Sequence, residues 1–463
     1  LKRSRVSTFV TGATALVLTT FAIQAPAHAQ VPAGSEAAPA DGQSQQYIVQ
    51  FKAGADRGAA LRAIGNRLGV SLTEQRQLAV GAHVITVNRR TAGLLAALQA
   101  RGDVEYAEPD TQMYALSTPN DPNYPQQWDY FEPTGGMNVP GAWDLATGTG
   151  AVVAVLDTGR TSHPDLDARW LGGYDFISSS TISRDGNGRD ADAQDQGDWY
   201  AAGECGQTTA SNSSWHGTHV AGTIAAVANN SLGVAGIAYN ARVVPVRVLG
   251  KCGGTSSDIA DAIVWASGGS VAGVPANPNP AKVINMSLGG SGSCSQTYRR
   301  AISSANSRGT TVVVAAGNSN ANASGFSPAN CAGVVTVAAL DRDGNRAFYS
   351  NYGSTVEVAA PGGEVRLETD PPGTRSTPQN GILSTLNDGA TTPGNPTYTT
   401  YMGTSMAAPH VAGLVALMLS RNPSLTPTQV LAALQAHARP IPGTCSGGCG
   451  AGLVDAAATV AAV

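Results

Sequence analysis

Three residue types that cooperate in acyl chemistry lie in separate short motifs of the 463-residue sequence. Asp157 sits in Val155-Leu156-Asp157-Thr158-Gly159, His216 in His216-Gly217-Thr218-His219, and Ser405 in Gly403-Thr404-Ser405-Met406-Ala407-Ala408-Pro409. A serine hydroxyl attacks a carbonyl poorly unless an imidazole removes its proton, and a buried carboxylate orients that imidazole and steadies its charge. Asn318 closes Val314-Ala315-Ala316-Gly317-Asn318, where a glycine turn can aim its amide at a developing oxyanion. Competing readings of the same residues fare worse. Asp-Thr-Gly also marks aspartic proteases, but a single chain of that kind carries the motif twice and this one carries it once. A helical zinc motif wants histidines four apart with an intervening glutamate, and His216 and His219 satisfy neither condition.

The order Asp, His, Ser, with these flanking residues, resembles the subtilisin family of serine endopeptidases. The resemblance implies hydrolysis of peptide bonds in protein or peptide substrates through an acyl-enzyme on Ser405. His216 is then the base and later the acid, Asp157 its orienter, Asn318 the oxyanion donor and His219 a structural neighbour. It also implies two extended segments that clamp the substrate, Cys252-Gly253-Gly254-Thr255 and Ser287-Leu288-Gly289-Gly290. Ala315, Ala316 and Gly317 would line the P1 pocket, and such small uncharged residues point to broad, apolar or medium-sized P1 preference. A silent binding protein on the same fold, or an esterase or peptide ligase using the same triad, are the rivals.

These residues need elements to hold them. Ala151–Leu156, Arg242–Val248, Val283–Met286 and Thr311–Ala315 read as buried strands. His216–Ala228, Ile259–Ala266, Tyr298–Ser307 and Ala407–Leu419 read as helices, the last with Val411, Leu414, Val415 and Met418 on one face. Continuous β-branched runs alternating with helices predict an α/β fold with a mostly parallel sheet covered on both faces, and the resemblance makes it the three-layer subtilisin-like fold. Asp157 and Asn318 then follow strand ends, where the sites of such sheets lie. Residues 361–400 are longer and richer in Pro, Gly and Thr than simple members of the family carry there, and no path is predicted for them.

The N-terminal third reads as processing machinery. Lys2, Arg3 and Arg5, an apolar run from Phe9 to Ile23 and Ala27-His28-Ala29 predict a signal peptide over residues 1–29, hence secretion. Residues 30–45 form a Pro/Gly/Ser/Gln-rich linker. Residues 46–116 alternate strand and helix patterns as a small α+β module ending in Val104-Glu105-Tyr106-Ala107-Glu108-Pro109-Asp110, which resembles the inhibitory propeptide of subtilisin-type zymogens. We expect this propeptide to act as intramolecular chaperone and inhibitor, with a self-cut near Leu116-Ser117 releasing the peptidase domain, residues 117–463. A net charge of −4 favours neither nucleic acid nor a membrane surface, and a monomer is expected.

Six cysteines in an exported chain favour disulfides. Composition leaves many connectivities open; we expect sequential pairing of Cys205 with Cys252, Cys294 with Cys331, and Cys445 with Cys449. Calcium is the implied ligand. Asp185, Asn187, Asp190, Asp192, Asp195 and Asp198 concentrate oxygen donors in a glycine-containing loop, as a hard cation requires. A second segment, Ala228-Asn229-Asn230-Ser231-Leu232-Gly233-Val234, resembles the calcium loop of subtilisins. The resemblance names the Asn230 side chain, the carbonyls of Ala228, Leu232 and Val234, and Asp165 as ligands, with Asp121 and Gln127 as further members.

Overall fold

The structure, a computed structural model, describes residues 46–89, 91, 93–110 and 118–463. The signal segment, the linker and the expected cut near Leu116-Ser117 lie outside the described residues. The chain divides into two compact units, the second beginning at Tyr114.

The first unit is an antiparallel sheet backed by two helices. Its strands are β1 (Gln46–Phe51), β2 (Leu72–Gln77), β3 (His83–Val87) and β4 (Val104–Pro109), in the order β2-β3-β1-β4. Helices α1 (Arg57–Leu68) and α2 (Leu94–Gln99) bury Leu61, Ile64, Leu94 and Leu98 against Tyr47, Val49 and Ile85. Asp56 caps α1 by accepting the Ala59 N–H at 2.9 Å, and Gly69 ends it in the left-handed region. Strand β2 escaped the sequence reading because Leu-Thr-Glu-Gln-Arg-Gln is an exposed edge strand with no apolar alternation.

The second unit starts with short helices α3 (Trp128–Phe131) and α4 (Val139–Trp143), then β5 (Val152–Asp157), β6 (Tyr174–Asp175) and the single turn α5 (Ser180–Ser183). Next come α6 (His216–Ala225), β7 (Arg242–Arg247), α7 (Ser256–Ala266), β8 (Val283–Met286), the two-residue β9 (Gly290–Ser291) and α8 (Gln296–Ser307). The chain continues through β10 (Thr311–Ala315), β11 (Phe326–Ser327), β12 (Val334–Leu340), β13 (Val358–Pro361), β14 (Ile382–Asn387) and β15 (Pro396–Tyr401) to α9 (Thr404–Arg421), α10 (Pro427–Ala436) and α11 (Ala456–Ala461).

Seven strands form one parallel sheet in the order β13-β12-β10-β8-β5-β7-β6. Alternate side chains of each strand point to opposite faces. Val153 and Val155 of β5 therefore join the core under α6 and α9, while Ala154 and Leu156 join the core under α7 and α8. Both faces are covered, which is the three-layer α/β arrangement expected. The disulfides Cys205–Cys252, Cys294–Cys331 and Cys445–Cys449 all form.

Residues 361–400 now have a path. They end in the antiparallel hairpin β14–β15, which lies across α6. The Ser384 hydroxyl donates to the His219 carbonyl at 2.7 Å and the Thr385 hydroxyl to the Thr218 carbonyl at 2.8 Å. Gly222 permits that contact, since a Cβ there would stand 2.1 Å from Thr385 Oγ1. Among the described residues no helix is long and apolar enough to cross a membrane.

Candidate active site

Asp157 is the last residue of β5 and is fully buried. Its Oδ1 accepts the Thr158 N–H at 2.8 Å, and both its oxygens face His216 Nδ1, at 2.8 and 3.0 Å. A carboxylate on Nδ1 fixes the proton there and leaves the Nε2 lone pair free to act as base. Burial works against a charged His216, and the Asp157 carboxylate overcomes it, with Asp198 and Asp195 adding to the effect. The imidazole is thereby held above its ordinary pKa.

His216 opens α6, so its side chain is aimed by the helix that β14–β15 covers. The hairpin also reaches the residues before it. Tyr401 Oη donates to the Ser214 carbonyl at 2.8 Å, and Trp215 Nε1 donates to the Gly389 carbonyl at 2.7 Å. His219 is a structural neighbour of a definite kind. It is buried, stacks on Tyr401 with ring centroids 4.5 Å apart, and its Nε2 donates to the Thr399 carbonyl at 3.1 Å. Its Nδ1 has no partner, so protonation would bury a bare N–H, and burial pushes its pKa down to about 3.

Ser405 is the second residue of α9. Its hydroxyl donates to the Ser287 carbonyl at 3.2 Å, and the Ser287 hydroxyl donates back to the Ser405 carbonyl at 2.8 Å. Asn318 Oδ1 accepts both the Thr404 N–H and the Thr404 hydroxyl, each at 2.8 Å. That double contact turns the amide so that Nδ2 is left to donate. A Cβ placed on Gly403 would lie 3.4 Å from Asn318 Nδ2 and 3.6 Å from Ser405 N. Glycine at 403 therefore keeps open a space between two donors, the geometry an oxyanion needs. Thr404 and Asn351 are functional residues that sequence reasoning missed. Asn351 Oδ1 accepts the Ser319 and Ala321 N–H groups at 3.0 and 3.1 Å, and its Nδ2 donates to the Ala316 carbonyl at 2.9 Å, which shapes the turn carrying Asn318. Thr404 sat inside the quoted serine motif; Asn351 had no local signal.

A cleft joins these groups. Its larger part, about 750 Å³, is lined by His216, Gly253, Gly254, Ser287, Leu288 and Gly289 among others. A smaller pocket of about 340 Å³ beside Ser405 is lined by Ala315, Ala316, Gly317 and Asn318 and by no charged side chain. The Cys205–Cys252 disulfide ties one rim to the neighbouring loop.

The two loops expected to hold calcium differ. In the acidic loop the carboxylates face separate partners. Asp185 takes the Ser183 hydroxyl at 2.7 Å, Asp190 the Asp192 N–H at 2.8 Å and the Asn187 amide at 2.8 Å, and Asp192 the Gln194 N–H at 3.0 Å. Asp195 is buried, takes the Gly197 N–H at 2.8 Å and leaves one oxygen without a partner, while Asp198 turns to Ser214. The buried Arg247 guanidinium answers part of this charge, 3.3 Å from Asp185 and 2.6 Å from Asp175. Among the described residues no three acidic, histidine or cysteine side chains converge as a metal cage, so the expected ligand set Asp185, Asn187, Asp190, Asp192, Asp195 and Asp198 does not assemble.

Around Ala228–Val234 the donors do converge. Asp121 and Asp165 are both buried; Asp121 accepts the Asn229 N–H at 2.8 Å, and Asp165 accepts the Asn230 amide at 2.6 Å and the Val234 N–H at 3.0 Å. The carbonyls of Ala228, Leu232 and Val234 accept no backbone hydrogen bond. Gln127 is spoken for, with both ends of its amide on Ala235 at 2.8 and 2.9 Å. Burial raises the Asp121 pKa despite its hydrogen bonds, and the neighbouring Asp165 charge adds to the rise. Two buried carboxylates beside three free carbonyls fit a hard cation.

Comparison with known proteins follows the geometry. The subtilase family profile matches residues 148–452. The chain belongs to the subtilase family. The fervidolysin N-terminal prodomain profile matches residues 32–110 of this subtilase. An extracellular protease of Xanthomonas campestris pv. campestris is 53% identical over 438 residues, covering 90% of this chain and 73% of that protein. An extracellular basic protease of Dichelobacter nodosus is 42% identical over 444 residues, covering 91% of this chain and 71% of that protein. A solved protease structure from Pseudoalteromonas arctica PAMC 21717 superposes with a TM-score of 0.72 at 60% identity, covering 75% of this chain and 99% of that one. This subtilase is an extracellular serine endopeptidase that carries its own prodomain.

Proposed function

We propose that Ser405 is the nucleophile, His216 the general base and then acid, Asp157 the orienting carboxylate, and Asn318 with the Ser405 N–H the oxyanion donors. The observation that carries this reading is the pair of donors flanking the space at Gly403, next to a serine at a helix N-terminus. His216 Nε2 takes the Ser405 proton as Oγ attacks, Asp157 balances the imidazolium, and the two N–H groups meet the charge on the former carbonyl oxygen. The proton then passes to the leaving amine, and water repeats the sequence to free the acyl product. The Ser405 hydroxyl leaves Ser287 to do this, a rearrangement normal for a site without substrate.

The small uncharged pocket beside Ser405 supports apolar or medium-sized P1 residues, with the chain clamped along Gly253–Gly254 and Ser287–Gly289. Self-cleavage near Leu116-Ser117, separating propeptide 46–116 from peptidase 117–463, and a monomeric product without stable membrane association complete the proposal. The subtilase family typically binds calcium. Here Asp121, Asp165, Asn230 and the carbonyls of Ala228, Leu232 and Val234 would hold it, where it would supply positive charge to two buried carboxylates.

A fluorophosphonate label tests the chemistry. It is expected to attach to Ser405 in mature wild type and to be absent from Ser405→Ala, with that variant secreted at its unprocessed mass. Labelling at another serine, or normal maturation of Ser405→Ala with no other protease present, would overturn the assignment.

A further inference from the structure

Of the side chains lining the larger part of the cleft, Asp198 is the one acid, and it lies near enough to His216 to act on it. Sequence composition put Asp198 with the calcium ligands, but its carboxylate is held elsewhere. One oxygen accepts the Ser214 N–H at 2.6 Å and the other accepts the Ser214 hydroxyl at 2.8 Å. This clamps the charge to the residue two places before His216. An ionised carboxylate has about four lone-pair positions, so each oxygen can accept again.

No lysine or arginine pairs with Asp198 directly among the described residues, although the Arg184 guanidinium is near enough to feel its charge. Lys251, on the cleft rim, is paired with Glu204 at 2.5 Å. Arg184 lies over the Trp199 ring at 4.0 Å and donates to the Trp199 carbonyl at 2.5 Å. Asp198 is half-buried and lines the cleft, held by Ser214 and by no cation at ion-pair distance among the described residues.

Ser287–Ser291 lines both the small pocket and the larger cleft. A substrate strand lying along that segment places one side chain in the small pocket, and the next one points the opposite way. In the larger cleft the side chains available to meet it include His216, Ser214 and Asp198. We propose that Asp198 selects a lysine or arginine at P2, so that the enzyme pairs an uncharged P1 pocket with an acidic P2 subsite. This deepens the peptidase reading above and rests on it. A cation from the substrate would add a charge-assisted hydrogen bond in a partly shielded cleft.

The test uses mature wild type and a set of chromogenic peptides identical except for lysine, norleucine or glutamate at P2, at fixed calcium. Wild type is expected to favour lysine over norleucine roughly tenfold in kcat/KM, the ratio one such hydrogen bond supports, with glutamate below both. Asp198→Asn can keep both Ser214 contacts and is expected to bring the lysine-to-norleucine ratio close to one. Asp198→Glu, a second variant that keeps the charge, is expected to retain the order. Equal cleavage of lysine and norleucine peptides by wild type, or an unchanged ratio in Asp198→Asn, would overturn the role of Asp198 and leave the peptidase reading standing. Failure of mature, unlabelled wild type to cleave any peptide of the set would overturn both.

Discussion

The two halves of the active site are built on different principles. The nucleophile half, Ser405 with Asn318, is assembled from a helix start and a strand end whose contacts lie within or beside the quoted motifs. The base half, Asp157 with His216, depends on an inserted hairpin that grips α6 and the residues before it through Ser384, Thr385, Trp215 and Tyr401. Local chemistry thus specifies one half, and distant packing steadies the other. Substitutions in the first should cut the rate while leaving stability alone, whereas substitutions behind the second should cost stability first.

The largest effect should come from the carboxylate of the base half. Asp157→Asn keeps the shape but favours the wrong His216 tautomer, and kcat should fall by about 10⁴, as in trypsin-like triads, with little change in KM. Asn318→Ala removes one oxyanion donor from the nucleophile half. Its kcat should drop roughly 10²–10³, a magnitude carried over from the oxyanion asparagine of subtilisin itself, and its melting temperature should stay near that of wild type. A large loss of melting temperature there would blur the contrast.

Gly222→Ala addresses the base half without touching a reacting atom. Its methyl would push into Thr385, and overpacking of this kind costs about 1–3 kcal/mol. Thermal unfolding of Gly222→Ala in a Ser405→Ala background, which prevents self-digestion, should show the loss. An unchanged transition would mean that the hairpin does not brace α6.

A further probe is acid. His219 is neutral when folded, with its pKa lowered to about 3 by burial, against an ordinary value near 6.5. Below that ordinary value the unfolded chain binds a proton that the folded chain refuses, so stability falls as pH drops from about 6.5 toward about 3. The slope approaches about 1.4 kcal/mol per pH unit for this one group. Denaturant unfolding of Ser405→Ala across that range should show it, and adding His219→Asn should flatten the curve.

Much of this was legible in the sequence, and the reasons differ by region. Val283–Met286 and Thr311–Ala315 read correctly to the residue because fully buried parallel strands are nearly continuous apolar or β-branched runs, with Asn285 the one polar amide among them. The starts of α7, α8 and α9 lay two or three residues earlier than periodicity suggested, since first turns are polar and carry capping residues such as Thr255 and Ser295. The β14–β15 hairpin stayed hidden because its burial is made by α6, far away in sequence, and Ser384 and Thr385 carry no pattern of their own. The acidic loop misled for a related reason. Composition counts carboxylates but cannot see that Arg247, a strand residue, points its guanidinium among them.

The unbroken parallel sheet has a consequence for timing. Neighbouring strands are parallel and lie far apart in sequence, β5 and β8 with several other elements between them, so contacts are non-local and must be gathered before they pay back their loop entropy. Asp157, His216 and Ser405 ride on β5, α6 and α9, and the hairpin that braces α6 comes just before α9 in the chain. Only a chain complete through α9 contains all three together with that brace. Peptide cleavage is therefore a signal of finished folding: a half-made chain has no blade, and cannot turn on its neighbours while it is still being assembled.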